Sequence, residues 1–178
     1  MPKQKPVKLS EVIMTEMVLP NDTNTLHNLM GGKLMHWMDI VAAIAAQKHS
    51  NRIVVTASAD SISFKHPIPL GNVVTLKSRV TRAFNSSIEV FIEVWAEDIP
   101  ANKKILTHRA FFTFVAVDQN GRPIEVPEAI PETPEEKELY EGALRRRQLR
   151  LVLAKRMDPK DAVELKSIFG FEENKGSE

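Results

Sequence analysis

Polar and apolar positions alternate along most of the first two thirds of this chain, and one stretch breaks the alternation. From Gly31 to Gln47 (GGKLMHWMDIVAAIAAQ) apolar residues fall on almost every side of a helical projection. A helix that is apolar all round is normally buried, so the pattern predicts a central helix running to about His49. Asp39 sits in the middle of it. Burying an unpaired carboxylate costs several kcal/mol, so Asp39 needs a partner or a task.

Around this helix the pattern predicts strands. Leu9 to Leu19 reads as the first, with Val12, Met14 and Met17 inward, and it ends at Pro20. Asn21 to Met30 is rich in Asn, Asp and Thr, which favour turns and helix caps. Ile53 to Phe64 is rich in β-branched residues, HPIPLG punctuates, and the next strand sets Val74, Leu76, Ser78 and Val80 against Thr75, Lys77, Arg79 and Thr81. Ile88 to Trp95 alternates strictly, and Ile105 to Val117 makes the last strand. Pro123, Pro127, Pro131 and Pro134 lead to a helical region starting near Thr133. Its glutamates come early, its arginines late, as the helix dipole favours, and Asp158-Pro159 closes it. A short helix through Val163, Leu165, Ile168 and Phe169 and a disordered tail, ENKGSE, complete the chain.

One long helix followed by antiparallel strands predicts an α+β fold, with the sheet curled around the helix. The expected divisions are a main domain over 8–122, a C-terminal helix over 132–157, and a short helix with a flexible tail over 158–178. One sheet covers one side of a helix, so a second subunit is the natural cover for the rest.

Composition narrows the function. The chain has 178 residues, 43% of them hydrophobic, with 24 Lys and Arg against 23 Asp and Glu, a formal net charge of +1. That balance argues against bulk binding to nucleic acid or membrane. There are no cysteines, which removes disulfides, thiolate metal sites and a cysteine nucleophile. The N-terminus lacks the apolar core of a signal peptide, and the longest apolar run, Ile40 to Ala46, is far short of the roughly 20 residues of a membrane span. A soluble, cytoplasmic protein is expected.

The usual signatures are missing. Gly32-Lys33 lacks the Gly and the Ser or Thr that a phosphate loop requires at positions 27 and 34, and GxGxxG, GxSxG and HExxH do not occur. The basic run RRRQLR follows a Glu-rich stretch and reads as a solvated helix face. His27, His36, His49, His66 and His108 are scattered, but His36 shares a helix face with Asp39 at i, i+3. Asp39 also lies two turns after Gly32, nearly on one face. A pocket along that face would offer backbone N–H groups to hold a carbonyl oxygen as it becomes negative, and a carboxylate to activate water. The competing reading is an interfacial ion pair between Asp39 and an arginine.

The segments DTNTLHNLMGGKLMHWMD, VVTASADSISFKHPIPLGNVV and RAFFTFVAVD together resemble the acyl-CoA thioesterases of the hotdog fold, in the acyl-CoA hydrolase group with a C-terminal helical extension. The resemblance covers about residues 8 to 156. It implies a hotdog fold, hydrolysis of a fatty acyl-CoA in lipid metabolism with no serine nucleophile, and no cofactor apart from the coenzyme A of the substrate. It further implies catalysis by Asn24 and Asp39 from different subunits, with Asn28 as an alternative amide. Gly31, Gly32 and Lys33 would face the thioester, Thr56 and Ser58 would line the CoA channel, and dimers would assemble into a homohexamer, a trimer of dimers. His27 and Met30 depart from the family pattern, standing where relatives often carry glycine and His or Phe. A hotdog hydratase or dehydratase using His36, and a non-catalytic acyl-CoA binding protein, are the competing functions.

Overall fold

Five antiparallel strands pack against the helix that the apolar run predicts. The computed structural model describes residues 3–60, 62–64 and 66–169 and divides into two units, Met1–Glu132 and Thr133–Glu178. In chain order the first unit holds β1 (Gln4–Pro6), β2 (Val12–Met17), α1 (Gly31–Ser50), β3 (Ile53–Asp60), β4 (Val73–Ala83), β5 (Ser87–Asp98), β6 (Lys103–Val117) and β7 (Glu128–Ile130). The main sheet runs β2-β4-β5-β6-β3, so β2 and β3 are its edges.

The core is the interface between α1 and the inward residues of the sheet. Val74, Leu76 and Val80 of β4, Ile88, Val90, Ile92 and Val94 of β5, and Ala110, Phe112 and Phe114 of β6 bury against Met38, Val41, Ala42, Ala45 and Ala46. The alanines let the helix lie close to the sheet, and each large side chain contributes about 1.5–3 kcal/mol of burial. Ser78, polar at an inward position, donates its hydroxyl to the Val41 carbonyl at 2.9 Å and so docks β4 on the helix. At the far end Asn51 takes the left-handed conformation (φ 53°) that terminates α1. The Lys5 ammonium donates to the Lys48 carbonyl and, at 2.9 Å, to Asn51 Oδ1, placing a cation at the negative helix end.

Several boundaries differ from the sequence expectation. The first strand is preceded by a 3-10 turn at Val7–Ser10, and Met17 points outward, 53% exposed, because the inward series is Val12, Met14 and Glu16. β1 pairs in parallel with β7, Gln4 opposite Glu128, and this pairing extends the first unit beyond both ends of the expected 8–122. β3 stops at Asp60 and carries a bulge, with Thr56 opposite Phe114 and Ser58 opposite Thr113, so that Ala57 is the extra residue. The largest difference concerns α1. Met35, Ile40 and Ile44 are exposed, at 38%, 37% and 42%, so one face of the apolar helix has no cover among the described residues of a single chain.

In the second unit α2 (Pro134–Leu153) starts with a reciprocal cap. The Glu136 N–H donates to the Thr133 hydroxyl, and the Thr133 N–H donates to the Glu136 carboxylate. The helix ends at Leu153, before the expected 157, and Lys155 is left-handed at φ 55°. A short α3 (Val163–Lys166) follows. The expected disordered tail lies outside the described residues.

Candidate active site

Asp39 finds its partner on the neighbouring edge strand. It is half-buried on α1, and the Thr56 hydroxyl of β3 donates to its Oδ1 at 2.7 Å. This bond fixes one carboxylate oxygen and leaves the other open on the uncovered helix face. No hydrogen bond joins Asp39 to His36 among the described residues, although the two share that face. Beyond the bulge Ser58 turns away and donates to Asp60 Oδ2 at 3.3 Å. Without the extra Ala57, strict alternation would have set Thr56 and Ser58 on the same side of the sheet.

Asn24 and Asn28 belong to a tightly bonded loop. The Asn24 side-chain carbonyl accepts the N–H groups of Leu26 (2.9 Å) and Asn28 (3.2 Å), and the Asn24 N–H donates to the Asn28 carbonyl at 2.8 Å. With Oδ1 spent on the loop, the Asn24 NH2 makes no hydrogen bond among the described residues. His27 adopts φ 57°, the left-handed region that glycine occupies without cost, so a glycine would fit this position without strain. The Leu29 and Leu70 N–H groups, donating to the Ile68 and His27 carbonyls, tie the loop to the segment before β4.

Gly31 and Gly32 are the first two residues of α1. Neither has a positive φ, so no tight turn accounts for them. A Cβ on Gly32 would meet nothing within 4 Å, and one on Gly31 would touch the Phe64 ring at 3.4 Å. The helix has no side-chain cap and no acidic residue in its first turn, so the Gly31 and Gly32 N–H groups are the open donors of its positive end. Lys33 differs. Its N–H donates to the Met30 carbonyl at 3.0 Å, and its ammonium pairs with Asp22 at 3.2 Å and lies 5.7 Å from the Trp37 ring. The Leu19 N–H holds the Asp22 carboxyl below its ordinary range, burial opposes this, and Lys33 adds to the lowering.

A cavity of about 300 Å³ opens beside the loop, walled in part by Asn24, Asn28, Gly31, Phe64, His66 and His108. Asp39 and Thr56 do not line it. The structure therefore brings the sequence candidates together as two groups, Asn24, Asn28 and Gly31 on one side, Asp39 and Thr56 on the other. His108 is one of the five scattered histidines, given no role by the sequence. It continues the inward series Ala110, Phe112 and Phe114 of β6 and is 5% exposed, so the two-residue register was the available signal. Among the described residues, no three or more His, Asp or Glu cluster as a metal site would require.

The sequence profile of the thioesterase superfamily matches residues 26–101. The uncharacterized acyl-CoA thioester hydrolase YkhA of Bacillus subtilis is 43% identical over 145 residues, covering 82% of this chain and 84% of that protein. The chain belongs to the hotdog acyl-CoA thioester hydrolases. A hexameric apo acyl-CoA thioesterase superposes with a TM-score of 0.83 at 41% identity, covering 85% of this chain and 97% of the other. The Staphylococcus aureus acyl-CoA hydrolase, solved with butyryl-CoA and CoA, gives 0.79 at 37% identity over 92% and 99%. That enzyme has also been solved with an asparagine, an aspartate or a threonine replaced by alanine. Among hotdog hydrolases this chain thus has the expected fold and an enzyme's relatives.

Proposed function

We propose that this thioester hydrolase cleaves fatty acyl-CoA to free acid and CoA, at sites built by two copies of the chain. The observation that carries the reading is the Thr56–Asp39 hydrogen bond on an otherwise uncovered helix face. Asp39 acts as general base on a water, with Thr56 orienting the carboxylate. The free NH2 of Asn24 positions the thioester or the water, and the Gly31 and Gly32 N–H groups hold the oxygen as it becomes negative. Water and the thioester are the only reactants, and CoA enters as part of the substrate. The three residue types altered in the Staphylococcus aureus enzyme support this set. Their positions are separated by fifteen and seventeen residues, the same intervals as Asn24, Asp39 and Thr56 here.

Geometry favours a shared site. A water held by both an amide and a carboxylate needs them within about 6 Å of one another. Asp39 lies about 10 Å along α1 from Gly32, whereas Asn24 shares a cavity with Gly31. A second copy laid on the face of Met35, Ile40 and Ile44 covers that apolar surface and brings its Asn24 loop to Asp39. The hexamers formed by solved relatives support a trimer of such dimers, and the mammalian cytosolic acyl-CoA thioester hydrolases support a cytoplasmic setting. No helix among the described residues is long and apolar enough to cross a membrane.

The test is thiol release from acyl-CoA. Asp39→Ala should lower kcat by about 10²–10⁴ while keeping assembly and CoA binding. Mixing Asp39→Ala with Asn24→Ala chains and allowing exchange should restore about a quarter of wild-type activity, because half the dimers are mixed and each holds one intact site. A folded Asp39→Ala enzyme at full activity overturns the residue assignment. A mixture as dead as its parents overturns the shared site.

A further inference from the structure

His108 makes no hydrogen bond among the described residues. Its ring is 5% exposed, and neither Nδ1 nor Nε2 has a hydrogen-bond partner there. Leaving a buried polar group unsatisfied carries a real cost, and the ring lines the cavity beside the Asn24 loop. Phe64 lies between this imidazole and the start of α1. Its ring is 5.6 Å from the His108 ring, tilted by 57°, and it reaches to within 3.4 Å of where a Cβ on Gly31 would sit. The cavity therefore reaches from the start of α1 to an imidazole without a hydrogen bond among the described residues, and its wall combines the amides of Asn24 and Asn28 and the imidazoles of His66 and His108 with Leu34, Phe64 and Ile68.

We propose that this cavity receives the pantetheine arm of the CoA thioester and that His108 is the positioning residue that hydrogen-bonds one of the arm's amides. The inference rests on the acyl-CoA reading above and deepens it. Burial, and after it the charge of neighbouring His66, hold the imidazole below its ordinary pKa, so it is neutral at pH 7. A neutral imidazole offers one donor and one acceptor, and a secondary amide presents one of each. Pantetheine spaces two amides with short aliphatic segments, which matches a wall of mixed character. A fatty acyl chain in the same place would leave both ring nitrogens unsatisfied in the complex.

The experiment compares wild type, His108→Leu and His108→Gln. CoA binding is measured by calorimetry, and thiol release is measured with saturated acyl-CoAs of increasing length and with a simple alkyl thioester that carries no amide. His108→Leu should weaken CoA binding about tenfold and lower kcat/KM for every acyl-CoA by the same factor, chiefly through KM. The alkyl thioester should be unaffected, and His108→Gln, which keeps a donor and an acceptor, should recover most of the loss. The leucine variant should melt at or above the wild-type temperature, because two unsatisfied buried atoms are gone. A loss that varies with acyl length assigns the cavity to the acyl chain and overturns the proposal. So does equal loss on the alkyl thioester, unchanged CoA binding, or a leucine variant that fails to fold. Weaker CoA binding by His108→Leu, in a wild type that releases no thiol, would uphold this subsite and sink the activity reading alone.

Discussion

Replacing Thr56 with valine removes one oxygen and keeps the side-chain shape. The hydroxyl lost is the one that donates to Asp39 Oδ1 at 2.7 Å. A hydrogen bond to an ionised group is worth about 1.5–3 kcal/mol when desolvated. In a single chain Thr56 is exposed, water takes over the bond, and folding stability should stay within about 0.5 kcal/mol. On the reading proposed above, assembly covers the carboxylate, which must then aim its free oxygen at a water. For a bond near the upper end of that range, losing half of its value in the transition state costs about 1.4 kcal/mol, a factor of ten in rate, and losing all of it approaches a hundredfold.

The expected result for Thr56→Val is therefore a kcat reduced about 10- to 100-fold with CoA affinity within twofold of wild type. Thr56→Ser keeps the hydroxyl and gives up only the β-branch that restricts its rotamer, so it should retain activity within about threefold, since a modest rotamer cost is all that is added. Thiol release at saturating acyl-CoA gives kcat, and calorimetry with CoA gives affinity. A valine variant with kcat within threefold of wild type would refute the idea that Thr56 orients the base. A serine variant as slow as the valine one would show that packing at the bulge, and not the hydroxyl, is what matters.

Two further outcomes follow from the packing. His49 is fully buried, its Nε2 2.8 Å from the Pro127 carbonyl, and its pKa is lowered by burial, against the raising effect of that carbonyl, with Lys5 adding to the lowering. The unfolded chain thus binds a proton that the folded one refuses. Stability should be full above about pH 6.5 and decline below it by up to about 1.4 kcal/mol per pH unit for this group, and melting curves of His49→Gln should show a flatter acid limb. Ile44→Glu places a charge on the uncovered face of α1, where Ile44 is already 42% exposed. The chain should still fold, but sedimentation should show assembly lost together with thiol release, and a hexamer of normal activity would refute the placement of the interface.

The elements were legible because each has one dominant period. Val74, Leu76 and Val80, and Ile88, Val90 and Ile92, sit inward as their alternation requires, and the capped start of α2 follows from Thr133, Pro134 and Glu136. Three things were not legible, each because it depends on more than one segment. The β1–β7 pairing joins residues more than a hundred positions apart. The bulge at Ala57 comes from the register of β3 against β6, and no residue in the strand announces it. The importance of His108 depends on which neighbours fail to bond it.

The same logic explains why Asp39 was expected to be desolvated and is half-open in one chain. The sequence of α1 carries the composition of a helix covered on all sides, while the sheet of its own chain covers one. On the proposed reading the missing cover is a second copy laid on Met35, Ile40 and Ile44, near the carboxylate, and assembly and catalysis would then be specified by the same face. Substitutions on that face should consequently separate into two kinds. Asp39→Ala removes chemistry and leaves the assembly standing, whereas Ile44→Glu removes the assembly and the chemistry with it. A site made within one chain would let the second variant keep its activity as a monomer, and that single measurement distinguishes the two architectures.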